Sequence, residues 1–332
     1  MFDIAYKCVL VEESDDRTFS RKIVTRGVDD LPKGDLLIRV RYSSLNYKDA
    51  LSATGNKGVT RNFPHTPGID AAGEVAWCGD GSFEEGEQVI VTGYDLGMNT
   101  PGGFGQYIRI PSRWALRLPA GLSSKEAMGI GTAGFTAGLC VQSLEHGGVG
   151  PEDGEVVVTG ATGGVGSVAV SILGRAGYDV TAVSGKPEAG DFLKSLGARE
   201  VVDRSAILEG ADRPMLKERW AGAVDVVGGE MLAAIVKSAR YGGVVTCCGL
   251  VGSSDLDLNV FPFILRGVSL LGIDSVQVPM EPREKVWERL AGDWKPENLE
   301  STVTEVILAE LDGKIDEILE GKVKGRVVVR LD

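Results

Sequence analysis

Histidine is almost missing from this chain of 332 residues, where only His65 and His146 occur. A catalytic zinc ion takes about three convergent nitrogen, sulfur or carboxylate ligands, and two distant histidines with five scattered cysteines offer no evident set. The cysteines (Cys8, Cys78, Cys140, Cys247, Cys248) are odd in number and include a vicinal pair. That pattern reads as reduced thiols in a reducing, cytoplasmic compartment, with no disulfide framework. Positive charge is also short: 35 Lys and Arg against 47 Asp and Glu leave a net charge of -12. Such a chain is repelled at long range by nucleic acid and by anionic membranes, so neither is an expected partner. Residues 1–25 carry charges throughout and contain no apolar segment of a secretory signal. Long unbroken apolar runs are scarce too. The two longest uncharged stretches, Val156–Gly174 and Ala127–Leu144, are interrupted by five and four glycines and read as buried elements of a soluble fold.

What is present is the composition of a globular protein, 43% hydrophobic and 25% charged, at a length that suits two domains. The first third alternates short β-like runs with turn residues: Lys7–Val11, Leu36–Tyr42, Gly73–Trp77, Gln88–Thr92 and Gly105–Ile110. These predict a small, mostly antiparallel barrel. At Ser123 a Ser-Ser-Lys-Glu capping signal opens a helix expected to reach Leu144. From Glu155 the pattern becomes strand, glycine turn, helix, strand, with strands expected at 155–160, 179–184, 200–202, 223–227, 244–248 and 268–273. Strands alternating with helices predict a doubly wound parallel sheet, so the fold class is α/β. An amphipathic helix at Leu311–Leu319 and a strand at Arg326–Leu331 return to the first domain. The division expected is 1–124 completed by 297–332, and 125–296 between them.

Residues 155–166 read Glu-Val-Val-Val-Thr-Gly-Ala-Thr-Gly-Gly-Val-Gly, a buried strand entering a glycine-rich turn and an apolar helix. Glycines at 160, 163, 164 and 166 let the backbone approach a dinucleotide diphosphate, whose charge is met by free N–H groups at the helix start. The alternative is close helix–strand packing alone. About twenty residues on, where an NAD site places a carboxylate on the ribose, the sequence is Ser184-Gly185-Lys186. Without a carboxylate, a 2'-phosphate is free to bind the serine hydroxyl and the lysine, joined by Arg204 after the third strand. Hydrogen bonds to charged groups are worth roughly 1.5 to 3 kcal/mol each, so two favour NADPH over NADH by about two to four decades. Lys186 and Arg204 are otherwise solvated charges.

The blocks Ser44-Leu45-Asn46-Tyr47-Lys48-Asp49, Pro67-Gly68-Ile69-Asp70-Ala71-Ala72-Gly73, Gly131-Thr132-Ala133-Gly134-Phe135-Thr136-Ala137, the glycine turn and Pro262-Phe263-Ile264-Leu265-Arg266-Gly267 resemble the medium-chain dehydrogenase/reductase superfamily. More narrowly they are similar to its zinc-free branch of acrylyl-CoA reductases and quinone oxidoreductases, over essentially the whole chain. The resemblance implies a GroES-like β-barrel with a Rossmann domain that binds NADPH. By position it implies cofactor contacts at Tyr47, Thr162, Gly163, Gly164, Val165, Ser184, Gly185, Lys186, Arg204, Leu250, Ile264, Ser275 and Gly321. Leu250, Ile264, Ser275 and Gly321 rest on the resemblance alone; by composition Leu250 and Ile264 read as core. Zinc members carry cysteine and histidine where this chain has Tyr47-Lys48, and Gly-His-Glu where it has Pro-Gly-Ile-Asp.

Without a Lewis acid, alcohol oxidation is disfavoured and reduction of an electron-poor acceptor is easier, since a conjugated carbonyl itself takes up the charge. Tyr47 is the candidate catalytic residue, as hydrogen-bond donor or proton relay to that oxygen; it equally suits a ribose contact or a packed aromatic. Asn46 either orients the cofactor or caps a helix, and Arg326 either reaches phosphates or is a solvated tail charge. His65 reads as a loop residue, His146 as a helix-end partner, and Cys247-Cys248 as core. The expected function is reduction of an enoyl thioester of the acrylyl-CoA type. A quinone acceptor and a non-catalytic NADPH-binding sensor are the alternatives. The apolar run Val268–Ile273 predicts an edge strand paired across a two-fold axis, hence a homodimer.

Overall fold

The computed structural model describes residues 2–297 and 299–331. The chain opens with β1 (Ala5–Glu13), β2 (Phe19–Gly27), β3 (Leu36–Leu45), the short helix α1 (Tyr47–Ala53), β4 (Asp70–Cys78), β5 (Gln88–Thr92), β6 (Tyr107–Ile110) and β7 (Ala115–Arg117). Helix α2 (Ser124–His146) leads to β8 (Glu155–Val158), α3 (Gly164–Arg175), β9 (Asp179–Val183), α4 (Gly190–Ser195), β10 (Glu200–Val202) and α5 (Arg204–Leu208). Then come β11 (Trp220–Asp225), α6 (Gly229–Ser238), β12 (Ala239–Cys247), α7 (Phe261–Arg266) and β13 (Ser269–Gly272). The last elements are α8 (Met280–Ala291), β14 (Val303–Ile307), α9 (Leu311–Leu319) and β15 (Arg326–Arg330).

These elements sort into two units, one of residues 2–132, 276–291 and 299–331, the other of 133–275 and 292–297. The sequence reading places 125–132 and 276–291 with the second group instead. In the first unit the strand order is β14-β15-β3-β4-β5-β7 with β6 also on β3, and β1-β2 form a hairpin. β14 and β15 run parallel and the remaining pairs of this sheet are antiparallel. Side chains two apart on a strand share a face, and Leu36, Ile38 and Val40 of β3 meet Val89 and Val91 of β5 and Val327 and Val329 of β15 in one core. The last strand thus joins the sheet of the first unit between β14 and β3. β2 carries too many charged and hydroxyl side chains to show a period, and β14, Val-Thr-Glu-Val-Ile, is too short to show one, so neither was legible.

The second unit is a parallel sheet ordered β10-β9-β8-β11-β12-β13. Counted from β8 this is 3-2-1-4-5-6, the Rossmann order, and its reversal point lies between β8 and β11. The strands are short and apolar because both faces are covered; Val157, Ala223 and Val245 are buried against Ile235 and Val236 of α6. Helix α2 is long and apolar enough to cross a membrane by length and composition, yet 89% of its apolar window is buried inside the fold. It is also not one helix: Gly131 breaks it at φ 54°, ψ -164°, a conformation essentially restricted to glycine. The uninterrupted helix expected from Ser123 to Leu144 is therefore corrected to two segments.

Candidate functional site

The glycine turn leaves β8 at the sheet's reversal point. Thr159 fastens its base to the neighbouring strand: its N–H donates to Val224 O at 3.0 Å, and its hydroxyl donates to Asp225 Oδ1 at 2.7 Å while accepting from Val226 N at 3.0 Å. Gly160 then takes φ +54°, and Ala161 N donates to Val183 O of β9 at 3.2 Å. Gly163 caps α3 with no side chain of its own to satisfy the first amides. Gly166 packs against the Gly160 carbonyl, and a methyl group there would lie 2.8 Å from the Ala161 Cα. First-turn N–H groups have no carbonyl four residues back, so 164–166 present donors and the positive end of a twelve-residue helix to an anion. Thr162, Gly163, Gly164 and Val165, all expected at the diphosphate, form this turn.

Ser184 follows β9, and its hydroxyl accepts from Lys186 N at 3.0 Å. The Arg204 guanidinium lies over the Gly185 backbone: a methyl group on Gly185 would come within 3.1 Å of Arg204 Nε. Ser184, Gly185, Lys186 and Arg204 are thus gathered at the ends of two adjacent strands, β9 and β10. The acidic neighbour, Asp203, is engaged elsewhere, accepting from Ser205 N at 2.9 Å and Ser205 Oγ at 2.7 Å as the cap of α5. Those bonds hold its carboxyl below the usual range.

Leu250 follows β12, Ser275 follows β13, and Ile264 lies on α7 between those strands. With the glycine turn and Arg204, these loops leave the carboxyl ends of parallel strands, the edge where such sheets bind ligands. Leu250 and Ile264 are 67% and 68% exposed, which corrects the compositional reading of both as core. Gly321 sits in the other unit, just after α9 at φ +69°.

In the first unit Tyr47 occupies the first position of α1 with 43% of its surface open, so it is not a packed strand-end aromatic. Asn46 is the residue before the helix, and its N–H donates to Asp49 Oδ2 at 2.8 Å, the return half of a capping box. Both ends of its side-chain amide are engaged. Nδ2 donates to Asp70 Oδ2 at 2.8 Å and to Asp49 Oδ2 at 3.2 Å, while Oδ1 accepts from Arg326 Nη1 at 3.2 Å. Arg326 is 3% exposed, neither a solvated tail charge nor a free phosphate ligand. Its Nη2 donates to Ser44 Oγ at 2.9 Å and its Nε to Gly129 O at 3.2 Å. Burial and the facing Asp70 push the Asp49 carboxyl up to about 7, against the amides of Asn46 and Ile69 that favour its charge.

Sequence reasoning did not single out Asp70, Asp49 or Asp225, whose carboxyl groups hold the turns at Asn46 and Thr159. Asp225 ends β11, accepting from Thr159 Oγ1 and, through Oδ2, from Gly228 N at 2.7 Å; burial raises its pKa. A carboxylate closing an apolar strand was the available signal. His65 is buried at 4% exposure, with burial lowering its pKa, and its backbone pairs with Val11, so it is no open loop base. Cys247 and Cys248 are half-buried rather than core. Among the described residues no three His, Cys, Asp or Glu side chains gather in a way that would hold a metal.

Comparison with known proteins places families on both units. One described as "Alcohol dehydrogenase GroES-like domain" matches residues 32–120, and one described as "Zinc-binding dehydrogenase" matches residues 164–292. A Bacillus subtilis protein named "Putative quinone oxidoreductase YhfP" is 49% identical over 93% of this chain and 94% of its own length. The acrylyl-CoA reductase AcuI of Ruegeria pomeroyi is 47% identical over 90% of this chain and 91% of its own. Two crystal structures superpose closely. The Salmonella enterica yhdH oxidoreductase in complex with NADP has a TM-score of 0.95 at 44% identity, covering 98% of this chain and 100% of its own. Bacillus subtilis yhfP with NAD bound has a TM-score of 0.97 at 47% identity, covering 99% and 100%.

Proposed function

The chain belongs to the medium-chain dehydrogenase/reductase superfamily as an oxidoreductase, and on that premise we propose that it uses NADPH to reduce an electron-poor double bond conjugated to a thioester, the acrylyl-CoA type of acceptor. The observation that carries the proposal is the pairing of a glycine turn that has no side-chain cap with a basic corner at Ser184, Gly185, Lys186 and Arg204, whose acidic neighbour Asp203 is bound to Ser205. Close relatives have crystallised with NADP in one case and NAD in another; the basic corner favours the phosphorylated form here.

In this reading the amides of the turn 162–165 hold the diphosphate, and Ser184, Gly185, Lys186 and Arg204 hold the adenosine phosphate. Leu250, Ile264, Ser275, Gly321 and Tyr47 complete the contacts. NADPH supplies hydride when bound. The residues of this chain must orient the acceptor and meet the charge that develops on its carbonyl oxygen. Tyr47, exposed at the start of α1, donates a hydrogen bond or a proton to that oxygen. The reading assigns no role to zinc: Tyr47 and Lys48 open α1, Asp70 accepts from Ser44, Asn46 and Thr132, and among the described residues no three His, Cys, Asp or Glu side chains gather as a metal set.

The 49% identity to a protein named for quinones supports the nearest second reading, a quinone acceptor on the same cofactor site. NADPH oxidation followed in parallel with acrylyl-CoA, crotonyl-CoA and a small quinone separates the two. Turnover of the thioesters supports the first reading, turnover of the quinone alone the second, and tight NADPH binding without turnover indicates a sensor. We further place the protein in the cytoplasm, on its free cysteines, and as a homodimer. β13 ends the parallel sheet with Leu271 exposed, and an uncovered apolar edge calls for a partner strand. A monomer mass in light scattering would contradict the dimer.

A further inference from the structure

We propose that Asp70 and Arg326 are positioning residues for the reaction: they lock the Asn46 side chain and, through it, fix the turn that presents Tyr47. The inference rests on the reading of Tyr47 as the group that meets the acceptor. Four distant segments converge on this cluster: the β3–α1 junction, the start of β4, the break in α2 and the start of β15.

The Asn46 amide is held from both sides. Its nitrogen faces two carboxylates and its oxygen faces a guanidinium, so a flip would turn its NH2 group onto Arg326 and its oxygen onto Asp70. With both ends of its amide engaged inside the cluster and its side chain buried, Asn46 acts on the chemistry through its place in the chain, next to Tyr47, rather than by touching the cofactor.

Asp70 is the shared node. Besides Asn46, its Oδ2 accepts from Ser44 Oγ at 2.5 Å and from Thr132 N at 3.0 Å, and its Oδ1 accepts from Thr132 Oγ1 at 2.5 Å. The same carboxylate therefore ties the break after Gly131 to the turn before Tyr47. A methyl group on Gly131 would lie 2.7 Å from Arg326 Nη2, Asp70 Oδ2 and Ser44 Oγ together. The break in α2 is shaped to leave room for the cluster.

Stability alone does not call for such an arrangement, since desolvating two charges offsets most of what their attraction returns and apolar packing serves as well. A fully satisfied polar network instead specifies one geometry. That is what a donor needs when a displacement of about 1 Å costs about a hundredfold in rate.

The test uses the full chain and two variants, Arg326→Gln and Thr132→Val, with three readouts: amide hydrogen exchange, NADPH affinity by fluorescence, and kcat and KM for the acceptor that the wild type reduces. In Arg326→Gln, exchange of amides 46–49 should quicken while that of 164–175 stays as it was. kcat should fall by about tenfold or more, with the NADPH dissociation constant and the acceptor KM within about threefold of wild type. A kcat within about twofold of wild type, or unchanged exchange at 46–49, overturns the proposal. A loss confined to KM does so too. Should Arg326→Gln fail to fold, Thr132→Val keeps both charges and removes one donor to Asp70; unchanged exchange at 46–49 in that variant overturns the proposal equally. If the wild type reduces no acceptor, the reading of function fails on its own, while the exchange data still decide whether the cluster holds the turn.

Discussion

Thr132 and Asp70 are joined twice, by the backbone amide of Thr132 at 3.0 Å and by its hydroxyl at 2.5 Å, across 62 positions of sequence. Both residues are buried. Thr132→Val keeps the shape and the amide bond but strips one donor from a buried carboxylate. Leaving such an acceptor short costs about 1–3 kcal/mol, and urea unfolding should show a loss of that size with an unchanged m-value. A variant as stable as wild type would mean that the hydroxyl contributes nothing there.

Gly131→Ala should be more damaging than an ordinary helix substitution. Its φ of 54° and ψ of -164° lie where a side chain costs about 1–3 kcal/mol, and the added methyl group meets three polar atoms at 2.7 Å. Loss of soluble protein or a marked drop in melting temperature is expected, and Gly313→Ala in helix α9, where an added methyl group meets nothing within 4 Å, serves as the control. Equal melting temperatures would argue against the break.

Asp49 gives a pH dependence with a definite sign. Its carboxyl stands at about 7 when folded and at 3.8 in the open chain. Between those values the folded state retains a proton that the unfolded chain has released, so stability is greatest at the acid end and declines as pH rises towards 7. The buried charge is disfavoured by desolvation and by Asp70 of β4, and is met by Arg326 of β15. Asp49→Asn should lose some stability at acid pH, because one of its two oxygens no longer accepts from Asn46 N or Ile69 N. The gap to wild type should then narrow as pH rises from 4 to 7. A gap of constant size across that range would contradict the assignment.

Much of this was legible in the sequence because periodicity and turn chemistry are local. The run from Glu155 to Gly166 announces strand, turn and helix, and the carboxylate-free Ser184-Gly185-Lys186 is visible one strand later. The strand at Arg326–Arg330 shows as a β-branched run, Val327-Val328-Val329, between two arginines. The buried cluster was not legible in the same way. Asp49, Asp70, Thr132 and Arg326 lie in segments whose meeting depends on tertiary folding, and an arginine just after Lys322, Lys324 and Gly325 reads as solvated. Three of the blocks that carried the family resemblance meet in this cluster; their residues were readable, their shared partner was not. The exposure of Leu250 and Ile264 was hidden likewise, since an apolar residue facing a ligand and one facing the core share the same letters.

Gly166→Ala tests the close approach at the turn. A methyl group there meets the Gly160 carbonyl and lies 2.8 Å from the Ala161 Cα, so the turn must open. NADPH affinity should fall by about tenfold or more, measured by quenching of protein fluorescence, with melting temperature the check on folding. Full affinity would remove the turn from the site.

Arg204→Ala tests the corner that distinguishes the two nicotinamide cofactors. Loss of one charge-assisted contact of roughly 1.5 to 3 kcal/mol should lower the preference for NADPH by about one to two decades while leaving NADH nearly unaffected. A proportional loss for both cofactors would make Arg204 a general support of the loop over Gly185.

NADPH-dependent thioester reduction is tested by steady-state oxidation of NADPH and of NADH by acrylyl-CoA, with the thioester product analysed. A saturated thioester should form mole for mole with NADPH consumed, and kcat/KM for NADPH should exceed that for NADH by about two decades or more. Equal values for the two cofactors, or NADPH that binds and is never consumed by any thioester, would contradict that function.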